Sequence, residues 1–146
     1  MSERVEEASA PRESGGQGSP DKNALVARSD ALEEAYEFFL GYASQGLPGD
    51  TGGHQVRDFL KKFDRAVDSL GAFFTGYVES LGLDLSPYRR FIEVIDRDAR
   101  DAQAAVQMVL AQPSISSQTV DNLNANIHVR ALLTDLFLID EILKQY

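Results

Sequence analysis

The chain has 146 residues, no cysteine and a formal net charge of −9 at pH 7. This length suits one domain that buries a core unaided, and the lack of cysteine excludes disulfides and thiolate metal sites. A nucleic-acid-binding protein normally carries a basic stripe for the phosphates, whereas the basic residues here form only pairs such as Lys61-Lys62. The composition therefore predicts no nucleic-acid partner, and the absence of cysteine favours the cytoplasm.

The sequence predicts neither a secretory signal peptide nor a membrane-spanning segment, since the N-terminus has acidic residues and no apolar stretch. The most apolar window, residues 131–143, is short and contains three acidic residues, so no membrane span is predicted. Residues 1–19 are rich in Ser, Glu, Gly and Pro, with Val5 as the only large aliphatic residue. Such a segment buries too little apolar surface to offset its ordering entropy, so we expect a disordered tail; a short recognition peptide is the alternative.

The first predicted helix covers about residues 20–45. The Ser-Pro-Asp sequence at 19–21 is a typical helix start, and Gly46 followed by Leu47-Pro48 is a typical end. The next residues, 49–53, read GDTGG and match no phosphate-binding motif, so they are interpreted as a flexible connection. The apolar residues of this first predicted helix form one stripe, which comprises Leu25, Leu32, Tyr36, Phe39, Leu40 and Ala43.

Two further helices are predicted at about 53–81 and 87–111. Apolar residues keep a spacing of three and four throughout each segment, as on one face of an α-helix. Gly71 and Gly76 lie inside the first of them, where each permits either a bend or a close helix contact. Pro113 ends the second.

The last predicted helix, about 117–145, has the broadest apolar surface of the chain. One series lies on a single stripe and comprises Ala125, Val129, Leu132, Leu136, Ile139, Leu143 and Tyr146. A second series lies about a third of a turn away and comprises Val120, Ile127, Ala131, Leu138 and Ile142. Leu133 and Phe137 widen the first stripe on its other side. Since an ordinary surface helix shows one narrower stripe, this helix is predicted to pack on more than one side.

These elements predict an all-α fold. No strand pattern occurs, and short connections between long helices favour antiparallel neighbours. We therefore expect an up-down-up-down antiparallel four-helix bundle, formed as a single domain by residues 20–146 behind the disordered tail.

No catalytic, cofactor or metal site is predicted. The only histidines are His54 and His128, and neither follows a glutamate by three residues, as a carboxylate-bridged metal site in a bundle requires. Neither histidine forms a plausible set with a nucleophile and an orienting group. Phosphotransfer through His128 is an alternative, although the basic and small residues that usually follow such a histidine are in a different order here.

The surplus apolar residues predict a partner-binding surface made by the first and last helices. A wide apolar face that is simply buried within one chain is the alternative. The preferred function is a non-enzymatic interaction subunit (an adaptor, assembly factor or chaperone-like protein) that binds a protein partner or a second copy of itself. A regulatory domain that senses a ligand or transfers phosphate is the second hypothesis. The predicted partner-binding residues are Ala35, Phe38, Tyr42, Ile127, Leu138 and Ile142.

Overall fold

The structure, a computed structural model, describes residues 20–146, and all regular secondary structure in that range is helical. The helices are α1 (Pro20–Ala43), α2 (Val56–Val67), α3 (Leu70–Ser80), α4 (Arg89–Leu110), α5 (Ser117–Ala125) and α6 (Ile127–Leu143). The predicted all-helical fold is confirmed, whereas the predicted count of four long helices is wrong, since the described residues form six. The predicted tail lies outside the described residues. No helix within residues 20–146 has the length and apolarity needed to cross a bilayer.

The predicted second helix is interrupted at Asp68 and Ser69. Asp68 is extended, with ψ of 129°, and Ser69 is left-handed, with φ of 56°, so neither residue continues the helix. The new start is held by Asp96 of α4, whose Oδ1 accepts a hydrogen bond from the backbone N–H of Gly71 at 3.2 Å. Glycine is required here because a Cβ at position 71 would lie 2.6 Å from the Asp96 side chain. This close approach fixes α3 against α4.

The predicted last helix is interrupted at Asn126, which ends α5 and caps α6. Its backbone is extended, with ψ of 133°, and its N–H donates to the carbonyl of Leu123 at 3.1 Å. Its side-chain Oδ1 accepts a hydrogen bond from the N–H of His128 at 2.9 Å, as an N-cap residue does. The chain therefore starts α6 as a separate helix.

Contacts at both ends show that α1 and α2 run antiparallel. Near the start of α1, Arg28 donates to the carbonyl of Ala66 at 3.0 Å, close to the end of α2. Near the end of α1, the ring of Tyr42 lies 5.9 Å from that of His54, just before α2 begins.

Every helix contributes large side chains to one continuous core. The apolar stripes predicted for the second and third segments face this core through α2, α3 and α4, α1 contributes Leu25, Leu32 and Phe39 of its predicted stripe, and Ile115 joins the core from the connection before α5. The largest fully buried side chains are Tyr42, Phe39, Phe63, Phe74, Leu60, Leu70, Ile95, Ile115, Leu132, Leu143, Val56 and Val67.

The glycine-rich connection, interpreted as flexible, is anchored at Asp50. Asp50 Oδ2 accepts a hydrogen bond from Arg57 Nε at 2.6 Å, and its Oδ1 accepts one from the backbone N–H of Ile115 at 2.9 Å. The hydrogen bond from Arg57, followed by that from Ile115, lowers the pKa of Asp50 below its usual value. Arg57 also donates to the carbonyls of Leu110 and Gln112 and so satisfies acceptors at the end of α4.

A second set of hydrogen bonds joins the end of α1 to the start of α5. The hydroxyl of Tyr42 donates to the carbonyl of Ile115 at 2.6 Å. Ser117 Oγ donates to the carbonyl of Tyr42 at 2.6 Å and accepts from the N–H of Leu47 at 2.9 Å. These buried bonds hold α1 and α5 side by side.

Candidate functional site

The structure encloses the predicted partner-binding residues of the first helix. Ala35 and Tyr42 are fully buried, so the prediction that they contribute to an exposed patch is wrong. Phe38 is half-buried and stacks on Phe59 of α2, with ring centroids 4.2 Å apart and planes 9° apart. The covering partner is therefore α2, which presents an aromatic ring to this face of α1.

The predicted partner-binding residues of the last helix are exposed. The exposed fractions are 71% for Ile127, 52% for Leu138 and 37% for Ile142. These three residues lie on the outer side of α6, whereas Ala35 and Tyr42 of α1 lie in the core. The structure therefore does not join the α1 and α6 parts of the predicted partner-binding surface. α6 buries one stripe fully, and Leu133 and Leu136 outside that stripe are half-buried against the core. That buried stripe comprises Val129, Leu132, Ile139 and Leu143.

The break at Asn126 leaves a groove between α1 and α6. Before the break, α5 packs closely along α1; after it, α6 packs on α4 and its backbone approaches that of α1 at almost no point. We call this space the α1–α6 groove. It is a feature that helical periodicity alone does not reveal, because the periodicity continues through Asn126.

Two adjoining depressions form the α1–α6 groove. The larger, of about 230 Å³, is lined by Glu33, Tyr36, Arg130, Leu133, Thr134 and Phe137. The smaller, of about 70 Å³, shares Glu33, Leu133 and Phe137 and adds Ser29, Leu32, Leu136 and Asp140. Phe137 is 65% exposed although it is aromatic, so the groove presents a large apolar side chain to solvent.

A third depression continues along the same side of α1. It has a volume of about 440 Å³ and lies between α1 and α5, where Leu40 and Asp121 are among its lining residues. Ser29, Tyr36 and Leu40 lie on one stripe of α1, since they are separated by seven and four residues. This stripe is ~17 Å long at about 1.5 Å per residue. Tyr36 and Leu40, predicted as core residues, thus line depressions at the surface.

The charges that line these depressions are mainly acidic. Glu33 lies on the α1 side, Asp140 on the α6 side and Asp121 on the α5 side, whereas Arg130 is the basic residue among the lining side chains. Within residues 20–146, no salt bridge neutralises any of these three carboxylates. The groove therefore combines an apolar floor with a negatively charged rim.

A carboxyl pair lies between α4 and α6. Burial, together with a hydrogen bond and the like charge of Asp98, raises the pKa of Asp135 to about 7. Its Oδ2 is enclosed and has no hydrogen-bond partner among the described residues. The pair therefore holds a proton near neutral pH that an exposed aspartate would have lost.

This pair should make the chain less stable as the pH rises. In the unfolded chain Asp135 ionises near pH 4, whereas in the folded chain it ionises near pH 7, so stability falls between these values and stays lower above them. At pH 8, Asp135→Asn should raise the free energy of unfolding by on the order of 1 kcal/mol, after allowance for solvent screening. Urea unfolding at pH 5 and pH 8 measures this difference. The exposed Asp30→Asn serves as a control; an equal pH dependence in wild type and Asp135→Asn would disprove the assignment.

His128 lies beside an acidic residue at the edge of α6. Its Nδ1 is 3.8 Å from Asp101 Oδ2, and both side chains are half-exposed. Within the described chain, no group of three or more His, Cys, Asp or Glu residues is arranged to hold a metal ion. His128 and Asp101 therefore form a half-exposed pair.

The fold and the groove define an all-helical domain with an open, apolar cleft between its first and last helices. Comparison of the chain with known protein families, curated proteins and solved structures finds no match.

Proposed function

We propose that this chain is a non-enzymatic protein–protein interaction subunit that binds a partner along the α1–α6 groove. The single observation that carries the proposal is the exposure of Phe137 in a groove that also presents Tyr36 and Leu133. Exposed aromatic side chains in a concave, partly apolar setting are typical anchors of protein interfaces. An adaptor, an assembly factor and a chaperone-like subunit would all use such a surface.

The size of the groove favours a protein partner over a small ligand. Small-molecule sites usually enclose roughly 300–1,000 Å³, whereas the groove depressions hold about 230 and 70 Å³. Two depressions are larger, about 570 Å³ between α3 and α4 and about 440 Å³ between α1 and α5, but their linings are more polar and include Asp96 and Arg100 in the first and Ser117 and Asp121 in the second. These features support side-chain docking in the α1–α6 groove.

A pair of surface variants tests the proposal. Phe137→Ser removes the exposed ring from the groove, and Met108→Ser removes an apolar side chain of nearly equal exposure, 64% against 65%, from α4. We expect Phe137→Ser to weaken capture of the native partner by about tenfold or more, as loss of an interface anchor does. Quantitative affinity purification from the native cell, with wild type and both variants at equal expression, measures this loss.

The matched control decides the outcome. Partner recovery should be unchanged for Met108→Ser, because this residue lies outside the groove. Equal recovery of every captured protein by wild type and Phe137→Ser would contradict the proposed docking site. Thermal unfolding of both variants checks that the substitutions leave the domain folded.

The exposed outer stripe of α6 remains a predicted second contact. Its members are Ile127, Leu138 and Ile142, and their exposure is compatible with binding either a partner or a second copy of the chain. The cytoplasm remains the predicted compartment, on the absence of cysteine alone.

A further inference from the structure

The charge of the groove rim identifies the chemistry of its occupant. Resting on the docking function proposed above, we infer that the α1–α6 groove binds an amphipathic helix of another protein, with Lys and Arg along that helix's polar face. The inference follows from the length, the floor and the rim of the groove.

The length of the groove suits one helix. Together with the third depression, which lies between α1 and α5, the groove extends along α1 from Ser29 to Ser44, a distance of ~22 Å at about 1.5 Å per residue. A helix of about 15 residues, or four turns, covers this distance. The walls are themselves helices: Ser29 shares a depression with Asp140 and Tyr36 shares one with Leu133, so α1 and α6 run antiparallel along it.

The floor of the groove suits an apolar helix face. Leu32 is buried beneath it, Leu133 and Leu136 are half-buried, and the rings of Tyr36 and Phe137 stand at its sides. A helix presents residues at i, i+3, i+4 and i+7 on one face, which is the pattern that binds in such grooves. Each depression would accept one or two of these side chains.

The rim of the groove suits basic residues. Glu33, Asp121 and Asp140 line the depressions without a salt bridge among the described residues, and Glu37 is exposed one turn beyond Glu33 on α1. Arg130 is the basic lining residue. Lys and Arg can lay their aliphatic stems on an apolar floor while their charged ends reach acidic groups at the rim. An occupant with an acidic polar face would instead meet like charge at Glu33, Asp121 and Asp140.

The same charges argue against a second copy of this chain as the occupant. The formal net charge is −9, and a symmetric dimer through the groove would place the same acidic rim on both partners. Opposed like charges reduce both the association rate and the affinity. A basic helix from a different protein meets neither penalty.

Two synthetic peptides test the inference. Both are amphipathic helices of about 18 residues with leucine at the same positions, and their polar positions are all lysine in one and all glutamate in the other. Fluorescence anisotropy of the labelled peptides, titrated with the full chain, gives the affinities. We expect the lysine peptide to bind at least about tenfold more tightly than the glutamate peptide, and to weaken as salt rises.

Protein variants distinguish groove binding from general attraction to an acidic protein. Phe137→Ser should lower the affinity for the lysine peptide by about tenfold, and Glu33→Gln should lower it by about threefold. Met108→Ser should leave this affinity unchanged. Equal loss in Phe137→Ser and Met108→Ser, or no loss in either, would overturn the inference. A dimer of the chain alone that Phe137→Ser dissociates in analytical ultracentrifugation would also overturn it.

The two proposals fail in different ways. If the glutamate peptide binds as tightly as the lysine peptide and both depend on Phe137, the groove is a docking site and only the basic occupant is wrong. If affinity purification shows no partner that depends on Phe137, the docking function itself is wrong, whatever the peptides do.

Discussion

Leu132→Asp should unfold the domain, whereas Leu138→Asp on the same helix should leave it folded. Leu132 is fully enclosed at the centre of the buried α6 stripe, and Leu138 is 52% exposed on the outer side. The first substitution removes a buried leucine, at about 2–5 kcal/mol, and adds an unpaired buried carboxylate at several kcal/mol more. A domain of this size is typically stable by about 5–15 kcal/mol, so most of its stability would be lost.

Urea unfolding followed by far-ultraviolet circular dichroism measures both variants. Leu138→Asp is the matched control, because the same residue change on the exposed side should shift the free energy of unfolding by less than about 1 kcal/mol. An unfolding midpoint for Leu132→Asp equal to that of the wild type would disprove the packing of α6 on α4. Equal destabilisation by both substitutions would show that Leu138 is buried, and would remove the exposed outer stripe of α6.

Asp50→Ala should destabilise the domain by about 3 kcal/mol. The Asp50 carboxylate accepts hydrogen bonds from Arg57 and from the backbone N–H of Ile115, and its side chain is only 7% exposed. Its removal leaves the Ile115 N–H without an acceptor and Arg57 without its counter-charge, and each loss costs about 1–3 kcal/mol. This loss of stability should be large although Asp50 lies in a glycine-rich connection between helices.

Glu34→Ala is the control for this prediction. Glu34 forms a salt bridge with Lys62 at 2.8 Å, but its side chain is 57% exposed, so its loss should cost less than about 1 kcal/mol. Chemical unfolding at pH 7 compares the two. Because the pKa of Asp50 is lowered by folding, its contribution is present above about pH 4 and is lost as the pH falls through the lowered value. The difference between Asp50→Ala and the wild type should therefore shrink towards pH 2; equal effects of the two variants at pH 7 would contradict the anchoring role of Asp50.

Helical periodicity predicted which side chains of the middle segments face the core, but it did not reveal the helix breaks. Val67, Leu70 and Phe74 keep their spacing and are all buried, although Asp68 and Ser69 interrupt the helix between them. A break that leaves the apolar phase intact is invisible to a count of spacings. The polar residues at the break are the available signal, since Asp and Ser favour helix ends.

The candidate site could be predicted only in part, because burial depends on which neighbour covers a face. The sequence pattern placed Tyr42 and Phe38 on the predicted partner-binding surface, but Tyr42 is enclosed in the core and half-buried Phe38 stacks on Phe59. The same pattern included Phe137 in the broad surface of the last helix, and that residue is exposed. Phe137 lies in a groove because α5 and α6, on either side of the break at Asn126, pack on different helices. This packing is a tertiary feature.

Photo-crosslinking from the groove tests the central claim most directly. A photoreactive phenylalanine analogue in place of Phe137 keeps an aromatic ring in the α1–α6 groove, and the same analogue in place of Met108 reports on an equally exposed position outside it. Irradiation in the native cell should yield a discrete adduct with another protein from position 137 and none of that mass from position 108. The absence of any adduct from position 137, or the same adducts from both positions, would contradict a docking site in the groove.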